Sequence, residues 1–127
     1  MILIFEKCKN SNQQGLIGLS EAINYFTKQQ CTVAVPLVDA QDYDLIVDQL
    51  GCLKRVSVKT TTSGTVRLVN GSEWDGRKLK LHTSKIYDLL FVVTGAHELY
   101  LIPKIDIEHL RHSITLGERY SKYRVMN

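Results

Sequence analysis

The rhythm of apolar and polar positions changes several times along this chain. Leu16, Leu19, Ala22 or Ile23, and Phe26 recur every three to four residues, which is one face of a helix. The polar stretch 11–15 leads into it, with Ser11 or Asn12 as a candidate N-cap, so the pattern predicts a helix ending near Gln29. After that the rhythm shortens. Residues 31–36 are rich in β-branched side chains and close on Pro36; residues 43–48, 53–60 and 65–69 also read as strands. Ser63-Gly64 predicts a hairpin between the last two. Asn70-Gly71 and Asp75-Gly76 mark a loop around Trp74, and residues 78–82 alternate weakly, as a further strand would. Residues 87–94 and 98–102 flank Gly95-Ala96-His97, a second predicted hairpin that ends at Pro103. A short helix is expected over 105–112. The order is one helix, a run of strands and a short helix. That is an α+β fold with helices packed on a mixed or antiparallel sheet.

Composition narrows the class. A chain of 127 residues suits one domain, here residues 1–127, with one modest core. The hydrophobic share of 44% and charged share of 23% are those of a soluble globular protein. The apolar opening 1–5 stops at Glu6 without a basic leader, so neither a signal peptide nor a membrane span is expected. Cys8, Cys31 and Cys52 are widely spaced and form no zinc pattern, which reads as free thiols in a reducing cytoplasm. The net charge of +3 permits nucleic-acid binding without requiring it.

Candidate chemistry sits in two apolar strands that carry charges. Strand alternation puts Asp44, Ile46 and Asp48 on one face of their strand, and Arg55, Ser57 and Lys59 on one face of the next. In a suitable register Asp44 and Lys59 meet with Ser57 beside them, and Glu21 closes over the cluster from the helix. Such a site suits magnesium, which takes oxygen ligands and keeps several waters. Two carboxylates and the Val58 carbonyl suffice, and Lys59 orients or helps deprotonate a water. The plain alternative is an ordinary sheet with one Asp–Lys pair at its edge.

Taken together, Gly18-Leu19-Ser20-Glu21, Val35-Pro36, Tyr43-Asp44-Leu45-Ile46-Val47 and Val56-Ser57-Val58-Lys59-Thr60 resemble the PD-(D/E)XK nuclease superfamily. The resemblance is greatest to its small single-domain members, the intron-encoded homing endonucleases and the Holliday-junction resolvases. It covers roughly residues 15–105, including residues 87–89 and the stretch 100–103 that ends in Pro103. It implies a restriction-endonuclease-like mixed central sheet flanked by helices. It also implies a metal-dependent DNA endonuclease that hydrolyses phosphodiester bonds. Glu21 matches the helix glutamate, Asp44 the metal aspartate and Lys59 the lysine, with Mg2+ or Mn2+ as cofactor bound by Glu21, Asp44 and the Val58 carbonyl. Ser57 stands where the family carries Glu, Asp or Gln. Three readings of that departure remain open: Ser57 holds a metal-bound water, Glu73 supplies the missing acid, or the chain is a catalytically degenerate DNA-binding or assembly module.

DNA would be the partner, and a homodimer or homotetramer the working assembly, in a bacterial, archaeal or phage-encoded cytoplasmic protein. Thr60, Thr61, Arg67, Arg77, Lys78 and Lys80 are the candidate DNA contacts around the cleft. The tail from Gly117, with Arg119, Lys122 and Arg124 between Tyr120 and Tyr123, is either a phosphate-contacting arm or a solvated surface. Asp39 and Asp42 read as turn formers and Asp48 as a strand-end charge. A structural protein without nucleic-acid role is the reading that the low net charge favours.

Overall fold

The computed structural model describes residues 3–69 and 82–126. Helix α1 spans Ser11–Lys28. It starts one residue earlier than the polar run suggests, because Asn10 is its N-cap and accepts a hydrogen bond from the Gln13 N–H at 3.0 Å. Gln13 reaches back, its Oε1 accepting from the Lys9 N–H at 2.7 Å. Among the described residues eight strands follow: β1 Thr32–Ala34, β2 Leu45–Gln49, β3 Cys52–Thr61, β4 Thr65–Arg67, β5 Leu89–Thr94, β6 Leu99–Pro103, β7 Ser113–Thr115 and β8 Arg124–Val125.

The main sheet runs β1-β2-β3-β5-β6-β8. β3 and β5 pair in parallel; every other neighbour pair in it is antiparallel. The sheet is therefore mixed, as expected. β2 and β3 close over a two-residue turn, Leu50-Gly51. Both residues have positive φ, and the Gly51 N–H donates to Asp48 Oδ1 at 2.9 Å.

β5 reads Leu-Leu-Phe-Val-Val-Thr because it is buried on both faces. Phe91 and Val93 join Ala22 and Phe26 of α1, with Leu45, Val47 and Val56, in one core layer. Leu90 and Val92 join Tyr100, Ile102, Ile107, Val66 and Ile114 in a second layer on the opposite face.

Several expectations are corrected. The Ser63-Gly64 turn does form, with Gly64 at φ +93 and Thr61 Oγ1 donating to the Thr65 carbonyl. However, β4 does not pair back on β3. It forms a separate two-stranded ribbon with β7, and this ribbon covers the second core layer. β3 is instead paired on one side by β2 and on the other by β5, so no edge remains for β4. The helix expected over 105–112 is a short 3₁₀ turn, Lys104–Asp106, followed by turns. A segment this short gains little from helix formation alone. Its backbone is used elsewhere: the His112 carbonyl accepts from the Leu68 N–H, and Ile107 is buried in the second layer.

The tail is not a free arm. Residues Glu118–Tyr123 form a 3₁₀ helix, Tyr123 donates to Asp106 Oδ2, and β8 adds to the sheet with Arg124 paired to Glu98 at 2.9 Å. The flanking helices also reduce, among the described residues, to α1 on one face. The weak strand expected over 78–82 lies outside the described residues except for His82, which opens a 3₁₀ turn, His82–Ser84. Among the described residues no helix is long and apolar enough to cross a membrane.

Candidate active site

Asp44 sits immediately before β2, at the point where the β2–β3 ladder ends. Its N–H donates to the Val56 carbonyl at 2.8 Å, and its Oδ2 accepts from the Val58 N–H at 2.7 Å. The carboxylate thus takes a backbone donor that a neighbouring strand's carbonyl would otherwise satisfy. One carboxylate oxygen is thereby fixed against β3. A strand residue sends its N–H and C=O out along the same edge, so the Val58 carbonyl points toward Asp44 as well.

The faces of β3 divide as its alternation requires. Val56 and Val58 turn toward α1, where Gly18 lies against Val58 and Thr60. Ser57 and Lys59 turn to the opposite face, across from Leu90 and Val92 of β5. Continuing the β2–β3 register by one step places Ser57 opposite Asp44. Ser57 is 5% exposed.

The electrostatics of Asp44 follow from this position. Burial pushes its carboxyl above the usual range, while the Val58 hydrogen bond and the Lys59 ammonium pull it back. Asp39 adds a like charge that raises it further, and Lys85 a second cation that lowers it. Lys85 is 5% exposed. Its segment is tied to the approach of β2 by the Ile86 N–H, which donates to Asp42 Oδ2 at 2.8 Å.

The structure therefore brings Asp44, Ser57, Val58 and Lys59 together. It does not bring Glu21 to them. Glu21 Oε2 accepts from His97 Nε2 at 2.8 Å, at the β5–β6 turn. The reason is helical geometry. Gly18 faces the sheet; at about 100° per residue, Leu19 falls on one side of that stripe and Glu21 on the other. Leu19 is the helix residue that lines the cavity beside Asp44.

The candidate DNA contacts divide too. Thr61 is buried and closes the turn before β4, and Thr60 Oγ1 accepts from Gln14 Nε2 at 2.9 Å beneath α1. Both hydroxyls are engaged within the protein. Arg67 is exposed on β4. Arg77, Lys78, Lys80 and Glu73 lie outside the described residues.

Sequence reading passed over Asp39 as a turn residue and assigned Lys85 no role in the site. Nothing in spacing alone links them to Asp44, since loops set their approach. The Glu21–His97 pair was equally hidden, because 76 positions separate its members.

The donor set suits a hard divalent cation. Asp44 offers an oxygen not used by Val58, the Val58 carbonyl lies on the same edge, and magnesium needs only one or two carboxylates with waters completing its shell. Among the described residues no three His, Cys, Asp or Glu side chains converge, so an all-protein cage of the zinc or calcium type is not built.

A model of the PD-(D/E)XK endonuclease family matches residues 9–125. The chain belongs to that family. A solved structure shares the fold of this PD-(D/E)XK endonuclease: the bacterial homing endonuclease I-Ssp6803I, with a TM-score of 0.74. The two are 22% identical, and the likeness covers 91% of this chain and 88% of the other. No curated protein matches the sequence. The family match places this PD-(D/E)XK chain among nucleases.

Proposed function

We propose that the chain is a metal-dependent DNA endonuclease of the homing-endonuclease kind, hydrolysing phosphodiester bonds with Mg2+ or Mn2+. The observation that carries this reading is the Asp44–Val58 hydrogen bond, which locks a half-buried carboxylate one residue from Lys59. Asp44 and the Val58 carbonyl would hold the cation. A divalent cation bound there supplies Lewis-acid polarisation of the phosphate and a more acidic water. Lys59 keeps its compact ammonium beside Asp44, where it positions the attacking water or balances charge on a phosphate oxygen. Ser57, buried opposite Asp44, contributes no charge. Substrate binding falls to basic side chains such as Arg67 on β4.

The test is cleavage of supercoiled, linear and branched DNA with Mg2+ or Mn2+, comparing wild type with Asp44→Ala and Lys59→Ala. Loss of a positioned acid–base group lowers the rate by on the order of 10²–10⁴-fold, so both variants should fall below detection. Cutting of the branched substrate alone would point to a resolvase rather than a homing enzyme. The neutral, buried Ser57 favours a second reading, a binding module that has lost catalysis. Intact, salt-dependent DNA binding without metal-dependent cutting would decide for it.

A further inference from the structure

This inference rests on the DNA-cleaving reading above and deepens it. The β4–β7 ribbon has one buried face and one open face. Val66 and Ile114 point inward and pack with Leu90 and Val92. Thr65, Arg67, Ser113 and Thr115 are exposed, and the register sets Thr65 beside Thr115 and Arg67 beside Ser113 on the outer face. The Thr65 and Thr115 hydroxyls stand 3.3 Å apart there. The pairing runs one residue past the strands at each end. The Leu68 N–H donates to the His112 carbonyl at 2.6 Å, and the Leu116 N–H to the Gly64 carbonyl at 2.8 Å. From Gly64 to Leu68 the ribbon is roughly 14 Å long at about 3.4 Å per residue, with its strands about 5 Å apart.

We propose that the outer face of the β4–β7 ribbon enters the major groove of duplex DNA and reads its base edges, with Thr65, Arg67, Ser113 and Thr115 as the specificity-determining side chains. Size supports this: a major groove about 12 Å wide admits a two-stranded ribbon, and a minor groove of about 6 Å does not. Side-chain chemistry supports it too. A guanidinium matches guanine O6 and N7, hydroxyls donate or accept as the base requires, and a threonine methyl suits the thymine methyl. The outer face carries no large apolar side chain, so it lacks what a protein partner would bury. Charge agrees: residues 59–69 and 109–117 contain no Asp or Glu, and Arg67 and Arg111 are exposed there, as contact with a polyanion requires. The ribbon also lies on the sheet face that bears Lys59, since Ser57 and Lys59 pair across from Leu90 and Val92. The turn from β3 is fixed by Thr61, whose Oγ1 donates to the Thr65 carbonyl at 2.8 Å and accepts from the Gly64 N–H at 3.0 Å. The bases read by the ribbon therefore stand at a fixed offset from the bond beside Lys59.

The experiment selects bound duplexes from a randomised oligonucleotide pool with the full chain, using Ca2+ in place of Mg2+ so that the readout does not depend on cleavage. Wild type is compared with Arg67→Ala, Arg67→Lys, the triple variant Thr65→Ala/Ser113→Ala/Thr115→Ala, and Lys28→Ala at the far end of α1 as a control. All these side chains are exposed, so the core is left intact. Wild type should enrich a base pattern. Arg67→Ala should lower the preference at a guanine by roughly tenfold, and the triple variant should flatten the neighbouring positions. Arg67→Lys keeps the charge but loses the fork, so it should keep overall affinity and lose the guanine preference. Dimethyl sulfate interference on the selected duplex should fall on guanine N7, in the major groove. An unchanged pattern in Arg67→Ala and the triple variant overturns the inference, as does interference confined to adenine N3, in the minor groove. A changed oligomeric state in these variants with the base pattern intact also overturns it and assigns the ribbon to contact between copies. Wild-type binding without any base preference overturns it and leaves the nuclease reading standing; no binding of any duplex would overturn both.

Discussion

At the scale of single residues, the site depends on how closely α1 approaches β3, and Gly18 sets that distance. A Cβ there would collide with Thr60 Cγ2 and touch Val58 Cγ1. Thr60 cannot easily yield, because its hydroxyl is bonded to Gln14 of the same helix. Two effects compete in Gly18→Ala. Helix propensity favours alanine by about 1 kcal/mol, and overpacking costs about 1–3 kcal/mol. With a β-branched neighbour pinned by a hydrogen bond, overpacking wins. Urea denaturation should show Gly18→Ala less stable than wild type by about 1 kcal/mol. Thr60→Ser removes the colliding methyl and keeps the hydroxyl, so the double variant should recover that loss; no recovery would place the strain elsewhere. Asp44 illustrates a different lesson. Its role as an acid among apolar residues was legible from Tyr43-Asp44-Leu45, but the bond that orients it belongs to a backbone N–H fourteen residues away.

At the scale of elements, the segment entering β5 is a buried polar knot. His82 is 1% exposed, and its Nδ1 faces the Leu110 carbonyl at 3.2 Å. A carbonyl only accepts, so Nδ1 carries the proton, and Nε2 of the neutral ring accepts from the Tyr87 hydroxyl. Lys104 lies over the Tyr87 ring at 5.3 Å and donates to the Lys85 carbonyl. Asp88 closes the segment on β3, accepting from the Arg55 backbone N–H and, in a fork, from its guanidinium.

Burial lowers the His82 pKa below the ordinary 6.5, with the Lys104 and Lys85 charges adding to the effect and the Leu110 bond opposing it. The sign follows from linkage. Below pH 6.5 the unfolded chain binds a proton that the folded ring resists, so this contribution to stability is present above 6.5 and lost as pH falls from there toward the folded value. Proton NMR should show the His82 ring titrating with a midpoint under 6.5, and chemical denaturation should show stability declining through the same window. A midpoint above 6.5 would contradict the buried neutral ring.

At the scale of the whole molecule, each chain of 127 residues presents one Asp44–Lys59 site, and cutting both strands of a duplex requires two. We propose a homodimer or homotetramer for paired cutting, since closed symmetric assemblies place equivalent sites in fixed register. Light scattering should give two or four times the 14.5 kDa of one chain, and a monomer at working concentration would argue against paired cutting. Local patterning established much on its own. It placed the helix with Ala22 and Phe26 inward, though Leu16 of the same expected stripe is exposed, and it placed the apolar strand now seen as β5, the Gly95 turn, and Asp44 and Lys59 at neighbouring segments of the sheet. These follow from periodicities of 3.6 and 2, which neighbours in sequence impose. The Tyr-Asp-Leu and Val-Lys patterns also carried the family resemblance.

What local order left open depended on pairing between distant segments. Whether β4 pairs with β3 or β7 turned on which edge of β3 was free, and the fate of residues 105–112 turned on backbone bonds to Leu68. The direction of Glu21 turned on the angle between α1 and the β5–β6 turn. The company of Asp39 beside Asp44 turned on how a loop folds back over its own strand. Each is a choice among several partners of similar local chemistry, so only the packing of the complete sheet could decide it.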